Sequence, residues 1–427
     1  MTIKQIPDIQ YLILNTNTQE TNSSKKESTM EKQERRYDLD WLRVSAFYIL
    51  ILYHVGMIFV PWDFHIKNSP TSEWFETWMA FLSQWRLPLL FMISGSVIYY
   101  SLGKRTGSGF VRERLKRLLI PLLFGMIVIV PPQIYYERLF NGVEFGSYWE
   151  FWKTVFHFQP FPQGNFSWHH LWYVVYILVY SLLAVPIFLY MRSVKSAKLR
   201  LNAGSFIKRH PNTVYLIMLP MMLFYFGLAG KFPVTHDLIH DWYNHSVSFT
   251  LFMFGFCIAS IDGFWDVIVT KRKQSLIQAA IPALFLLLFV WGPTFELPIE
   301  HTEWFGLMYG ILKMFMIPSL LLAIFGYGKV MLNKPSSLLS YLNESVYPFY
   351  ILHQTVMIIF GYYIIQLNWG ITSKFMLTTL VTFGGSFLLY ELIIKHNNIT
   401  RVLFGMKALR SHQISAREEK ELLQVES

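Results

Sequence analysis

The sequence predicts an all-α, polytopic membrane protein with about ten transmembrane helices and both termini in the cytoplasm. Apolar residues make up 53% of the 427 residues and charged residues only 15%, a balance unlike that of soluble globular proteins. About ten segments are long and apolar enough to cross a bilayer. Most basic residues also fall on one side of these segments, as is typical of cytoplasmic loops.

Each predicted span is an apolar run of helical length that ends in polar or charged residues. In chain order the spans are 42–60, 78–101, 118–136, 170–190, 213–229, 246–262, 277–294, 304–326, 343–365 and 375–395. The longest outer loop, 137–169, is rich in aromatic residues, which favours a lid over an outward-facing site.

The distribution of Lys and Arg sets the predicted orientation. Of 37 such residues, 29 lie on one side of the spans when Lys395, at the end of the last span, is counted there; five lie on the other side and three within spans. The rich side comprises both tails and the segments 103–117, 191–212, 263–276 and 327–342. The asymmetry puts both termini in the cytoplasm and explains the net charge of +10 without nucleic-acid binding.

We predict three regions: a disordered cytosolic tail at 1–36, a membrane domain at 37–396 and a charged cytosolic tail at 397–427. The first tail lacks the apolar core and cleavage site of a secretory signal. Met30 is an alternative start to Met1. The single cysteine, Cys257, excludes an intrachain disulfide and is expected to serve packing.

Two ionisable residues share one face of the first span. Arg43 and His54 are eleven residues apart, which in a helix is three turns plus about 20° and roughly 16 Å along the axis. Ionisable side chains within a membrane are costly and mark functional sites. The pair therefore aims a cation and an imidazole at one cavity, with Arg43 near the cytoplasmic edge and His54 near mid-depth.

Three further cationic or titratable residues have predicted depths close to that of His54. Arg86, His353 and Lys313 lie in the second, ninth and eighth spans, and one shared polar cavity is more economical than four separate buried groups. Each has a structural alternative. A histidine can link helices by a hydrogen bond, the lysine can extend to the membrane surface, and the arginine can bind several carbonyls.

The loop before the third span, GKRTGSGFVRERLKR, carries a basic cluster. The cluster includes Arg112, Arg114 and Arg117. These residues either only reflect the cytoplasmic position of this loop or form a binding site for the phosphates of a cofactor. No nucleotide-binding glycine motif accompanies them. Six outer histidines form no spacing that predicts a metal site, so we expect no bound metal. They are His157, His169, His170, His236, His240 and His245.

Five segments together resemble the acyltransferase-3 family of bacterial integral membrane acyltransferases, in particular its glucan-modifying members. The resemblance extends from about Tyr37 to Lys395. The segments are DLDWLRVSAFYILILYH, RLPLLFMISG, FVRERLKRLLIPLLFG, HLWYV and YPFYILHQ.

This resemblance implies transfer of an acetyl or succinyl group from cytoplasmic acyl-CoA, a cosubstrate and not a bound cofactor, to a carbohydrate hydroxyl outside the plasma membrane. His54, Arg86 and His353 would be catalytic. Arg43, Arg112, Arg114 and Arg117 would bind acyl-CoA. Direct transfer and an acylated enzyme both remain open, as does the oligomeric state. The alternatives are a transporter or flippase for a glycan or anionic small molecule, and a catalytically inactive sensor.

Overall fold

The computed structural model describes residues 35–103, 105–292 and 302–409, and no β-strand occurs in those ranges. The described residues from Asp38 onward belong to one compact unit. Almost all of the predicted N-terminal tail lies outside the described residues, as does the chain after 409. Beyond residue 396, where we predict the end of the membrane domain, the side chain of Arg401 is buried.

Helices make up most of the described chain. In chain order the longer ones are α1 (Tyr37–Met57), α2 (Glu73–Leu102), α3 (Gly107–Phe140, with two π-helical turns), α4 (Tyr148–Thr154), α5 (Trp172–Leu183), α6 (Val185–Arg192), α7 (Ala197–Arg209), α8 (Pro211–Ala229), α9 (Trp242–Ser260), α10 (Phe264–Phe289), α11 (Glu303–Met331), α12 (Ser337–Ile364), α13 (Ile371–Leu389) and α14 (Asn398–Leu403).

Several helices are suited to a membrane. Within the described ranges, five are long and apolar enough to span one: α2, α3, α8, α11 and α13 with its C-terminal extension to Ile394. The pairs α5–α6 and α9–α10, bent by 53° and 118°, raise the number to seven if each pair is one span. A helix occupies each of the ten predicted positions, but α1 and α12 do not qualify because they carry polar residues. The predicted number of about ten is therefore not confirmed.

Helix α12 runs through the interior of the domain. Every residue from Pro348 to Ile358 is buried, so this helix is surrounded by protein on all sides. Three consecutive polar residues, His353, Gln354 and Thr355, lie in the middle of that stretch. Buried polar groups need hydrogen-bonding partners, and these three therefore fix how neighbouring helices meet α12.

The end of α1 is closed by a lysine from the following loop. The Nζ atom of Lys67 donates to the carbonyls of Met57 and Val60, both at 2.7 Å. These carbonyls lie at the C-terminal end of the helix, where backbone acceptors lack partners within the helix. Burial lowers the pKa of Lys67 to about 8, although the carboxylates of Asp63 and Glu76 oppose the change. This cap fixes the position of the C-terminal end of α1, about one turn after His54.

Helices α2 and α9 are in backbone contact through two glycines. A Cβ atom at Gly95 would overlap the carbonyl oxygen of Phe252, and one at Gly255 would overlap the carbonyl of Met92. Close approach through small residues is a common way for membrane helices to pack. The hydroxyl of Ser96 adds an interhelical hydrogen bond to the carbonyl of Gly255 at 2.8 Å.

We predict that Gly95→Ala destabilises the protein, because its methyl group forces α2 and α9 apart. Overpacking of this kind costs about 3 kcal/mol. The measurement is the thermal unfolding midpoint in detergent. Gly384→Ala in α13 is the matched control, because nothing lies within 4 Å of a Cβ there. Equal midpoints for the two variants would contradict the close packing.

Candidate active site

Two histidines from separate helices form a direct hydrogen bond in the interior. Nδ1 of His54 on α1 lies 2.7 Å from Nε2 of His353 on α12. The two rings are almost parallel, at 5°. His353 is fully buried, whereas His54 lines a cavity. The sequence therefore predicted both residues, and the structure brings them together.

Hydrogen bonding fixes which nitrogen of each neutral ring carries the proton. Nδ1 of His353 lies 2.7 Å from the carbonyl oxygen of Tyr350, which can only accept, so this nitrogen is the donor. Its Nε2 is then the acceptor, and Nδ1 of His54 must donate to it. The unprotonated nitrogen of His54 is consequently Nε2. The geometry prepares that atom to accept a proton from the cavity.

Arg86 on α2 reaches the same cavity. Its guanidinium carbon lies 3.3 Å from the ring centroid of Tyr53, the residue that precedes His54. Arg86 is buried, and it makes no ion pair with any carboxylate in the described ranges. The ring of Tyr53 holds the cation through a cation–π contact. Arg86 therefore provides a positive charge beside the histidine that no described protein carboxylate neutralises.

The cavity beside His54 and Arg86, here called the outer cavity, has a volume of about 980 Å³. Its wall includes Asp63, His65, His236, Asp237 and His240. Aromatic side chains complete it: Tyr53, Phe64, Phe161, Phe166, Trp168 and Trp172. Three of these, Phe161, Phe166 and Trp168, come from the loop 137–169 that the sequence suggested as a lid. Aromatic faces together with polar groups can bind a ligand that carries hydroxyls.

A second cavity, here called the inner cavity, has a volume of about 780 Å³ and lies at the Arg43 end of α1. Five cationic residues line it, whereas its lining contains one carboxylate, Glu344. The cations are Arg43, Arg114, Arg117, Arg401 and Lys407. Arg401 donates to Glu344 at 2.6 Å, and Arg43 and Arg117 lie 3.4 and 3.6 Å from the carboxylates of Asp40 and Glu113. The five cations outnumber these three carboxylates, which gives the cavity a positive potential.

Local contacts hold two of these arginines in place. Arg43 donates to the side-chain oxygen of Asn343 and lies 3.4 Å from the carboxylate of Asp40. Arg114 donates to the hydroxyl of Ser101 at 3.2 Å, and its guanidinium lies over the ring of Phe110. The positions of both cations at the cavity wall are thus set by the protein before any ligand binds.

Two sequence expectations do not fit this geometry. Arg112 is exposed and does not line the inner cavity, because it lies on a different face of α3 from Arg114. Lys313 lines neither cavity and instead lies over the rings of Tyr225 and Tyr309, at 5.9 and 5.7 Å. The predicted cavity shared by four titratable groups is therefore wrong for Lys313. His353 lies behind His54 without lining the cavity itself.

Three aromatic rings separate the two cavities. Phe47, Tyr173 and Tyr350 contact one another with centroid distances of 5.1 to 6.2 Å. Tyr173 lines both cavities, Phe47 lines the inner one and Tyr350 the outer one. We call these three residues the aromatic partition. The two cavities therefore follow one another along α1 and share Tyr173 as a lining residue.

Sequence analysis missed Arg401, Lys407 and Tyr173. The first two follow the predicted end of the domain, and a basic residue near a cytoplasmic tail is explained equally well by orientation alone. Tyr173 lies within HLWYV, one of the five segments that carry the family resemblance, but the resemblance implies no role for this residue. No local spacing connects these residues with Arg43 or His54, so only the tertiary structure shows the connection.

Comparison with known proteins now decides the family. Residues 36–391 match the family described as an acyltransferase domain, acyltransferase-3. The chain belongs to the acyltransferase-3 family. It is therefore a membrane acyltransferase. No solved structure matches it significantly.

Curated acyltransferase-3 relatives include glucans biosynthesis protein C of Salmonella paratyphi B, 21% identical over 376 residues, and of Salmonella schwarzengrund, 22% identical over 379 residues. Each alignment covers 84% of this chain and 92% of the relative.

We predict that His353→Ala lowers kcat for acyl transfer about 100-fold, because His54 loses the acceptor that selects its tautomer. His353→Gln, whose amide oxygen can still accept from Nδ1 of His54, retains more of the rate. The measurement is steady-state kinetics across a pH range, with KM expected to change little. If His353→Gln and His353→Ala lose the same activity, the hydrogen bond does not position His54.

Proposed function

We propose that the protein transfers an acyl group from acyl-CoA to a hydroxyl of a glucan-type carbohydrate. The single observation that carries this proposal is the hydrogen-bonded series from Tyr350 through His353 to His54. It ends in a basic nitrogen on one cavity, while a second, cationic cavity lies behind the aromatic partition.

The inner cavity suits the donor. CoA carries several phosphate charges, and arginine binds phosphate through paired, charge-assisted hydrogen bonds. Arg43, Arg114 and Arg117 supply such groups, with Arg401 and Lys407 close by. The acyl group of the donor is acetyl or succinyl, small enough to pass between side chains. We place this cavity at the cytoplasmic face, where acyl-CoA is made, with both termini of the chain on that side.

The aromatic partition supplies the route from donor to base. The headgroup of CoA is too charged to cross lipid, whereas its pantetheine arm is long and slender. The arm would enter between Phe47, Tyr173 and Tyr350 and present the thioester near His54. Arg43 and His54 are roughly 16 Å apart along α1. A headgroup at the inner cavity and a thioester at the outer cavity are thus compatible with one extended donor.

The proposed reaction is direct transfer. Nε2 of His54 takes the proton of the acceptor hydroxyl as the oxygen attacks the thioester carbon. Negative charge then develops on the thioester oxygen, and the guanidinium of Arg86 stabilises it in a site with little water. The carbon–sulfur bond breaks, and the leaving thiolate receives the proton from His54. The products are an acylated carbohydrate and free CoA.

The outer cavity suits a carbohydrate acceptor. Aromatic faces pack against sugar rings, and carboxylate and imidazole groups bind hydroxyls. The relatives' name, glucans biosynthesis protein C, supports a glucan as the acceptor. With both termini in the cytoplasm, this cavity would face the outside of a bacterial plasma membrane. The acceptor would then be modified during or after its export.

We predict that purified protein transfers acetyl or succinyl from acyl-CoA to an oligoglucan, and that His54→Ala abolishes the reaction. Loss of a general base costs about 10² to 10⁴ in rate. Mass spectrometry of the glucan detects the added acyl group and identifies it. Leu52→Ala, on the exposed side of the same helix, is the control and keeps activity.

An unchanged rate in His54→Ala would exclude this histidine as the base. Folded protein is checked in each variant by size-exclusion chromatography in detergent. Deletion of the gene offers an independent check in cells. Glucan export that stops, with no acylated glucan in the parent strain, would favour the transporter instead.

We also predict that Arg114→Ala with Arg117→Ala raises KM for acyl-CoA, while kcat changes little. Each charge-assisted hydrogen bond contributes about 1.5–3 kcal/mol, so loss of one such bond from each arginine raises KM by about 100-fold or more. Arg112→Ala is the matched control, because its side chain is exposed two residues away and does not line the inner cavity. An equal rise in KM for the control would show that overall charge, and not the cavity, attracts the donor.

A further inference from the structure

Three side chains with metal-ligating atoms meet at the wall of the outer cavity and have no part in the proposed reaction. They are His65, from the loop after α1, Glu137, near the end of α3, and His169, just before α5. One carboxylate oxygen of Glu137 lies 2.7 Å from Nδ1 of His65 and 3.7 Å from Nε2 of His169. All three ligand atoms lie within 4.8 Å of one another.

The two imidazoles are arranged around that carboxylate by their own packing. Their rings stack with centroids 4.7 Å apart and an interplanar angle of 20°. His169 is further held by Ser167, whose Oγ lies 2.7 Å from Nδ1 of the ring. This contact leaves Nε2 as the ring nitrogen that faces Glu137. The residues come from three separate elements, so the tertiary fold and not a local motif assembles the cluster.

One nitrogen atom of the cluster is left without a hydrogen bond. Nε2 of His169 is buried and has no hydrogen-bonding partner among the residues that the structure describes. The oxygen of Glu137, at 3.7 Å, is too far for a hydrogen bond. Leaving a buried polar nitrogen unsatisfied costs about 1–3 kcal/mol. A cation bound between the nitrogen and the carboxylate would satisfy both groups at once.

We propose that His65, Glu137 and His169 bind a divalent transition metal of the zinc type. Two imidazole nitrogens and one carboxylate oxygen are the ligands of many catalytic zinc sites, in which a fourth position stays open. The distances between the ligand atoms of the cluster are close to those between the ligands of a tetrahedral ion. Small side-chain movements would therefore be enough to coordinate a metal. His65 and His169 both line the outer cavity, so the open position faces that cavity.

Metal binding has a defined effect on the hydrogen bonds of the cluster. The metal replaces the proton that His65 shares with Glu137 through Nδ1. His65 then carries its proton on Nε2, which lies 3.0 Å from the side-chain amide of Gln354. The amide of Gln354 then turns its oxygen towards the ring. It loses the hydrogen bond that its nitrogen donates to the side-chain oxygen of Gln133, which is 3.1 Å long before the metal binds. Such partners of ligating histidines are usual around protein metal sites.

The open position gives the metal a place in the proposed reaction. An oxygen of water or of the acceptor would bind there, in the cavity that also contains His54. Binding to the metal would orient the acceptor and lower the pKa of its hydroxyl. This consequence rests on the proposed function. The metal site itself does not, because its ligands and geometry are independent of acyl transfer.

The test is Co²⁺ binding to purified full-length protein that has been stripped with a chelator. Cobalt can replace zinc in such sites, and its visible absorption reports a tetrahedral environment. We expect one equivalent of Co²⁺ per chain in the wild type. Glu137→Gln and His169→Ala should each lose the tetrahedral absorption. Ser167→Ala keeps all three ligands and should bind about 10- to 100-fold more weakly.

His157→Ala is the matched control, because His157 is an exposed histidine of the same outer region that lies outside the cluster. It should bind Co²⁺ as the wild type does. The proposal is overturned if the wild type binds no more Co²⁺ than Glu137→Gln. No acyl donor is present in this experiment, so its failure would leave the proposed acyl transfer intact.

Discussion

The hydrogen bond between His54 and His353 is the interaction on which the candidate site depends. It joins the first helix of the domain to the helix that runs through its interior. The carbonyl of Tyr350 determines the proton on His353, and His353 in turn determines the proton on His54. A backbone carbonyl thus selects the nitrogen that faces the outer cavity. The buried position of His353 protects this arrangement from water.

Two cavities lie along α1, one on each side of the aromatic partition, and they relate the His54–His353 hydrogen bond to the proposed reaction. The proposed donor carries many negative charges and the proposed acceptor many hydroxyls, so the two would need different surfaces. The cationic inner cavity and the aromatic outer cavity supply them on opposite sides of Phe47, Tyr173 and Tyr350. Close contact between α2 and α9 at Gly95 and Gly255 keeps Arg86 on a helix whose position is fixed. The packing of the helices would therefore keep the two proposed substrates apart and still let them meet at His54 and Arg86.

The helical fold and part of the site could be predicted from the sequence. Helical periodicity places Arg43 and His54 on one face of α1, and the cost of buried charge singles out Arg86. Other parts depend on contacts between distant segments. Arg112 and Arg114 look alike in the sequence, and the exposed and cavity-lining faces of α3 separate them only in the fold. His65, Glu137 and His169 are far apart in the chain, so no spacing could predict their cluster.

The most direct test of this account is nitrogen NMR of the protein with ¹⁵N-labelled histidine, using His54→Ala to assign the signals of His54. The account predicts that, at neutral pH, Nδ1 of His54 carries a proton and Nε2 does not, and that His353→Ala removes this preference. A proton found on Nε2 of His54 in the wild type would contradict it, because that nitrogen could then not accept the proton of an attacking hydroxyl.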